Sequence, residues 1–293
     1  MQTLSTACWQ GLSIGKPMKL LDGKVLAQKM RAEIKAEIEA AAVIPGLAVV
    51  IVGEDPASKI YVRNKIRACE EVGMRSFVYE LPAETTQGDL ESLLDTLAKS
   101  KEVHGVLLQL PLPKGLDAQS AMAKIPAEKD VDGFDRENLG ALVLNQHRYA
   151  ACTPSGVMEL LKDAGVDCAG KSAVVLGRSN TVGKPMALLL LNANATVTVC
   201  HSKTQNLAEV CKTADILVAA IGKPKYVTKE MVKEGAVVVD VGINRDENGK
   251  LCGDVDFEEV SKIASYITPV PGGVGPMTIT MLLKNTCIAA WKE

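Results

Sequence analysis

Short, uninterrupted apolar runs alternate with longer amphipathic segments along most of this chain, and few folds accept that rhythm. The clearest run is Gly46-Leu47-Ala48-Val49-Val50-Ile51-Val52-Gly53. It has strand length and no polar face, so it suits a parallel strand covered on both sides. Ahead of it, residues 24–42 place Val25, Leu26, Met30, Ile34 and Ile38 near one side of a helix. After it, Asp55-Pro56 supplies an N-cap and a proline at the first helical position, predicting a helix through Cys69. Strands near 75–81 and 103–110 follow, around a helix at 87–99. The second half predicts a helix at 154–164, strands at 173–176, 195–200, 216–219, 236–241 and 266–267, and a last helix at 277–292. Such alternation defines βαβ units and parallel sheets, hence an α/β fold. A chain of 293 residues is long enough for two α/β domains, each with a core of its own. The expected division is 18–150 and 151–276, with the last helix crossing back onto the first domain. Residues 1–17, ahead of Met18, read as an extension with little structure.

Composition narrows the partners. The formal net charge is −2, so no electrostatic pull toward nucleic acid or an anionic membrane is expected. Aromatic residues are only 3% of the chain, which argues against a base-stacking platform. The eight cysteines (8, 69, 152, 168, 200, 211, 252 and 287) are scattered, form no CxxC pair, and often lie inside apolar runs. They read as buried free thiols of a reducing, cytoplasmic compartment. The three histidines show no metal-site spacing, so no metal is expected. No apolar run approaches the ~20 residues a membrane span needs.

Two regions carry chemistry. In the second half, Val174-Val175-Leu176 runs into Gly177-Arg178-Ser179-Asn180-Thr181-Val182-Gly183-Lys184-Pro185. A strand, a glycine turn and a helix starting near Val182 would leave backbone amides free for a pyrophosphate. This is not a G-x-G-x-x-G match, and an ordinary βα turn fits the spacing equally well. The next strand sharpens the reading. An NAD site places an acid near that strand's end, whereas Cys200-His201-Ser202-Lys203-Thr204 has none. With Arg178, it offers the cation and hydroxyl that suit the 2′-phosphate of NADP; simple solvated side chains are the alternative. In the first half, Ser58, Tyr61 and Lys65 are spaced to share a helix face. Taken alone, a surface lysine and a packing tyrosine would explain them better. Gln109, however, is the single polar residue at the end of the run Val106–Leu110, where parallel sheets bind ligands. Lys129-Asp130-Val131-Asp132-Gly133 offers a D-x-D pair that could hold a metal or stabilise a turn. Pro269-Val270-Pro271-Gly272-Gly273-Val274-Gly275-Pro276 exposes backbone to any flat ligand or phosphate.

Together these segments resemble the methylenetetrahydrofolate dehydrogenase/cyclohydrolase family from about Leu20 to Trp291. The most specific pieces are Gln109-Leu110-Pro111-Leu112, Lys129-Asp130-Val131-Asp132-Gly133, Gly177-Arg178-Ser179 with Val182-Gly183-x-Pro185, and Pro271-Gly272-Gly273-Val274-Gly275-Pro276-Met277-Thr278. The resemblance implies two α/β domains with a cleft between them, the first binding tetrahydrofolate derivatives and the second a Rossmann-like NADP domain, in a homodimer. It implies NADP-dependent oxidation of the methylene compound and hydrolysis of the methenyl product to 10-formyltetrahydrofolate. By the same resemblance Lys65 is catalytic, Gln109 tunes it, Tyr61 stacks on the folate, Asp132 holds the pterin, and Ser58 and Gly273 line the pocket. Gly177, Arg178, Ser179, Ser202 and Ile243 fall at the cofactor. A shikimate-dehydrogenase-like enzyme or a non-catalytic NADP-binding protein is the competing reading. Neither uses the Tyr61–Lys65 helix together with Gln109.

Overall fold

The computed structural model describes residues 18–291. The predicted extension at 1–17 and the end of the last helix at Lys292 lie outside them. In chain order the elements are β1 (Lys19–Leu20), α1 (Gly23–Ala40), β2 (Gly46–Val52), α2 (Pro56–Val72), β3 (Arg75–Leu81), α3 (Gln87–Lys99), β4 (Gly105–Leu108), α4 (Ala118–Met122) and α5 (Arg136–Val143). They continue with α6 (Cys152–Asp163), β5 (Ser172–Leu176), α7 (Gly183–Asn192), β6 (Thr196–Cys200), α8 (Leu207–Lys212), β7 (Ile216–Ala219), a 3-10 turn at Lys229–Met231 and β8 (Val237–Asp240). Last come β9 (Asn244–Arg245), β10 (Leu251–Cys252), α9 (Phe257–Val260), β11 (Tyr266–Ile267) and α10 (Val274–Trp291).

Two parallel sheets result. The smaller has the order β3-β2-β4, and the larger β1-β11-β8-β7-β5-β6. Strand β2 lies in the middle of its sheet, and all seven of its residues are buried, as a run without polar positions requires. Its alternate residues serve two cores. Ala48, Val50 and Val52 pack with Leu90, Leu94 and Leu97 of α3. Leu47, Val49 and Ile51 face a larger core that also takes in Met277, Leu282 and Leu283 of α10, Leu160 of α6, and Val175 and Val218 of the larger sheet. One apolar core therefore runs from sheet to sheet through a helical layer. Gly156 lets α6 and α10 approach closely, since a Cβ there would stand 2.8 Å from that of Met277. The seven cysteines among the described residues are all free and buried. No helix of the described residues is long and apolar enough to cross a membrane.

Some boundaries differ from the periodicity. Strand β4 stops at Leu108, because Pro111 and Pro113 just beyond have no N–H to donate to a ladder. Helix α10 starts at Val274 instead of Met277, since Pro276 is tolerated in a first turn whose amides have no helical partner. Lys19–Leu20 pairs with Tyr266–Ile267 at the edge of the larger sheet, so the described chain starts there before building the smaller one.

Candidate active site

Helix α2 is started by the Asp55 carboxylate, which accepts the Ser58 amide at 2.8 Å. From that start Ser58, Tyr61 and Lys65 follow at successive turns of one face. Ser58 is 4% exposed, Tyr61 39% exposed, and Lys65 lies between them in burial. Lys65 Nζ donates to Gln109 Oε1 at 3.0 Å. Gln109 follows β4, and its Nε2 donates to the carbonyl of its neighbour Leu110 at 2.7 Å. That second bond fixes the amide, so its oxygen must face the lysine.

Burial pulls Lys65 below the usual lysine range, an effect partly offset by Asp132 and Cys152. Burial pushes Asp132 above the usual carboxylate range, against the pull of Lys65 and of the neighbouring Cys152 side chain. Cys152 is itself raised well above a normal thiol, chiefly by burial. Lys65, Asp132 and Cys152 thus share one partly desolvated environment, with Gln109 bonded to the lysine, that disfavours the charged form of each titratable group.

The two acids of the D-x-D pair part company. The Asp130 carboxylate accepts from the Asp135 amide at 2.7 Å and from Asn138 Nδ2 at 2.9 Å. It is the turn stabiliser, and burial raises it to about 7. Among the described residues no three His, Cys, Asp or Glu side chains are grouped to hold a metal ion. The Asp132 segment is clamped by a residue the periodicity gave no reason to notice. Asn285, buried on α10, donates to Val131 O at 2.9 Å and to Ala150 O at 3.2 Å. Cys152 Sγ also donates to Val131 O, at 3.3 Å. Asn285 sits in a Lys284-Asn285-Thr286 run that gave no local signal of this role.

The second group lies at the carboxyl ends of β5 and β6, which pair in register at Leu176 and Cys200. Gly177 has φ +127°, and a Cβ there would stand 2.1 Å from Ala220 O, so glycine is required. The first two amides of the helix start are taken up within the turn. Ser179 Oγ folds back and accepts Val182 N at 3.1 Å and Gly183 N at 3.2 Å. Among the described residues, the amides of Arg178, Ser179, Asn180 and Thr181 in the turn itself have no hydrogen-bond partner. Arg178 and Ser202 are both exposed at these neighbouring strand ends. Thr204 Oγ1 accepts His201 N at 2.9 Å and shapes the Ser202 turn.

The glycine-proline loop joins these parts. A Cβ on Gly23 would fall 1.7 Å from Gly273 O, so the start of α1 rests directly on the loop backbone. A Cβ on Gly273 would stand 2.6 Å from Pro269 O. Ile243, 50% exposed beyond β8, places its Cδ1 4.0 Å from where a Gly275 Cβ would be. The structure therefore gathers Lys65, Gln109 and Asp132 in one place, Gly177, Arg178, Ser179 and Ser202 in another, and Ile243 at the glycine loop. No hydrogen bond among the described residues joins the first set to the second.

A turn of amides without partners among the described residues at a strand–helix junction of a parallel sheet, with a desolvated lysine elsewhere, is an arrangement that an α/β enzyme of the dinucleotide-binding class would use. Residues 21–132 match the catalytic domain, and residues 151–293 the NAD(P)-binding domain, of tetrahydrofolate dehydrogenase/cyclohydrolase. The chain belongs to that family. It is 57% identical over 277 residues to the bifunctional protein FolD of Moorella thermoacetica, covering 94% of this chain and 99% of that one. Among solved structures it is similar to the bifunctional enzyme FolD of Campylobacter jejuni, with TM-score 0.91 and 51% identity over 93% of this chain and 98% of that one. It is also similar to the Trypanosoma brucei methylenetetrahydrofolate dehydrogenase-cyclohydrolase complexed with NADP and an inhibitor. There the TM-score is 0.89 and the identity 41%, over 94% and 98% of the two chains.

Proposed function

We propose that Lys65 is the acid–base group of a cyclohydrolase step and that the ends of β5 and β6 hold the NADP of a dehydrogenase step, both reactions using one cleft between the sheets. The chain is a bifunctional folate enzyme. It oxidises 5,10-methylenetetrahydrofolate with NADP and hydrolyses the 5,10-methenyl product to 10-formyltetrahydrofolate. The observation that carries the reading is the 3.0 Å bond from Lys65 to an amide oxygen that cannot turn away, in a setting that favours the neutral amine.

The residues fit the cofactor. Free amides of the β5–α7 turn suit the pyrophosphate, and a Cβ at Gly183 would crowd Gly177 O at 2.3 Å, so this turn is built to stay tight. Arg178 and Ser202 are the donors for the 2′-phosphate, and Ile243 forms part of the wall at the nicotinamide. When bound, NADP accepts the hydride, so the protein's part in that step is alignment. Asp132 holds the pterin, Tyr61 lies along it, and Ser58 and Gly273 close the pocket. In hydrolysis, neutral Lys65 takes a proton from water as its oxygen bonds to the methenyl carbon. The carbon–nitrogen bond then breaks as the added hydroxyl becomes the formyl carbonyl and gives its remaining proton to solvent, and Lys65 returns the first proton to the leaving ring nitrogen. Such acid–base help is worth ~10²–10⁴-fold.

The functional unit is a homodimer in the cytoplasm on this reading. Strand β6 is an edge strand of its sheet among the described residues, and Val143 of α5, Leu144 just after it, Leu191 of α7 and Val199 of β6 expose apolar surface. The test of function is direct. With NADP and methylenetetrahydrofolate, the enzyme should reduce NADP while methenyl absorbance rises and then decays faster than in buffer. Absence of NADP reduction, or decay at only the spontaneous rate, would refute the corresponding half.

A further inference from the structure

Two carboxylates outside the lysine centre are buried. Asp240 ends β8 and is 3% exposed; Asp254 is fully buried. Neither forms a salt bridge among the described residues. Their charge is met by dipoles instead. Asp240 Oδ1 accepts Gly242 N and Asp254 N, and Oδ2 accepts Val255 N, each at 2.9 Å. Asp254 Oδ2 accepts Ile221 N at 2.6 Å and Gly222 N at 3.0 Å. Its Oδ1 accepts Lys223 N and Asn244 Nδ2, both at 2.8 Å. Carboxylates that collect donors this way orient the segments supplying them. Gly242 and Gly253 are required for the fit, because a Cβ would stand 2.3 Å from Asp254 Oδ1 and 1.8 Å from Asp240 Oδ2 respectively.

The knot ties together three segments: 220–223 after β7, 241–244 after β8, and 253–255. The first abuts the cofactor turn, where Ala220 O limits the space at Gly177. The second carries Ile243, which faces the glycine loop at Gly275. A shift of the knot would therefore move Ile243 relative to both the turn and the loop, while leaving Lys65 and Gln109 untouched.

We propose that Asp254, backed by Asp240, is a positioning residue for hydride transfer, fixing the Ile221–Lys223 and Ile243–Asn244 walls against the nicotinamide end of the cofactor. This rests on the placement of Ile243 at that end. Asp254→Asn keeps the shape but turns one acceptor into a donor facing backbone donors. A small displacement at a reacting centre can cost about 10²-fold. In the full-length enzyme, kcat for NADP reduction should fall about 10-fold to 10²-fold. KM for methylenetetrahydrofolate should hold, and hydrolysis of added methenyltetrahydrofolate without NADP should stay at the wild-type rate. With a dideuterated methylene group, the isotope effect on kcat should rise as hydride transfer becomes limiting. Asn244→Ala removes one donor at the rim of the knot and decides the matter if Asp254→Asn does not fold. It should show a smaller fall of the same kind. A proportional loss of both activities in Asn244→Ala, or unchanged hydride transfer in either variant, overturns the proposal. Ile243→Ser, run in parallel, separates the causes. If it slows NADP reduction while the knot variants do not, the wall is placed correctly and the positioning role is wrong. If it has no effect, the placement of Ile243 itself is wrong and the proposal goes with it.

Discussion

An amine can exchange protons near neutrality only if its surroundings make the ammonium form costly, and at Lys65 burial supplies that cost. Asp132 acts in the opposite sense, since its negative charge favours the ammonium. Asp132→Asn should therefore lower Lys65 further and move the acid limb of the cyclohydrolase pH profile to lower pH. It should also raise KM for the folate by about 10- to 100-fold, the loss of a charged hydrogen bond worth ~1.5–3 kcal/mol. A limb that moves to higher pH contradicts this electrostatic assignment. Asp130 carries a separate signature. Its carboxyl is raised from 3.8 to about 7 by burial, so the folded state holds the proton more tightly than the unfolded state. The stability this adds is complete below pH 3.8 and is lost as pH rises through about 7. Asp130→Asn can keep both accepted bonds and has no proton to lose. Its melting temperature should change less than the wild type's between pH 4 and 7; parallel curves from calorimetry would show that Asp130 does not titrate as described.

Among the elements, the proposed cofactor choice rests on the turn between β5 and α7, where Ser179 Oγ takes up the amides of Val182 and Gly183 and leaves those of the turn itself to the proposed phosphate. Arg178→Ala should weaken NADP by roughly one to two decades, from the ~1.5–3 kcal/mol of a charge-assisted contact, and NAD far less. Equilibrium titration of both cofactors checks it, and equal losses for the two would contradict the 2′-phosphate role. This turn also shows what a sequence can and cannot disclose. Strand, glycine and helix are local, and they read directly from Val174 to Pro185. The fold-back of a serine hydroxyl onto Val182 and Gly183 is a conformational choice that no spacing reveals. Lys65 and Gln109 were likewise legible because each sits at a marked place, a helix face and a strand end. Asn285 and Asp254 were not, since their partners lie far along the chain and their own neighbourhoods are ordinary. Strand β1 escaped for a simpler reason: two residues carry no periodicity.

The whole molecule couples two centres without merging them. A continuous core runs from the smaller sheet through α1, α6 and α10 to the larger one, so the sheets hold a defined relation. Helix α10 begins at the glycine loop, where Ile243 approaches, and along its length Asn285 grips the Asp132 segment. The alternation of apolar runs predicts both sheets, but this shared core depends on how helices from distant segments interleave. On the proposed reading labour divides between the two centres: hydride transfer needs alignment from one set of residues, and hydrolysis needs the proton chemistry of Lys65. Lys65→Met keeps the stem and removes the amine, so its absorbance trace with methylenetetrahydrofolate and NADP tests that claim most directly. NADP reduction should remain measurable while the methenyl compound accumulates and decays only at its spontaneous rate. Hydrolysis at the wild-type rate in that variant would show that the proton moves through another group.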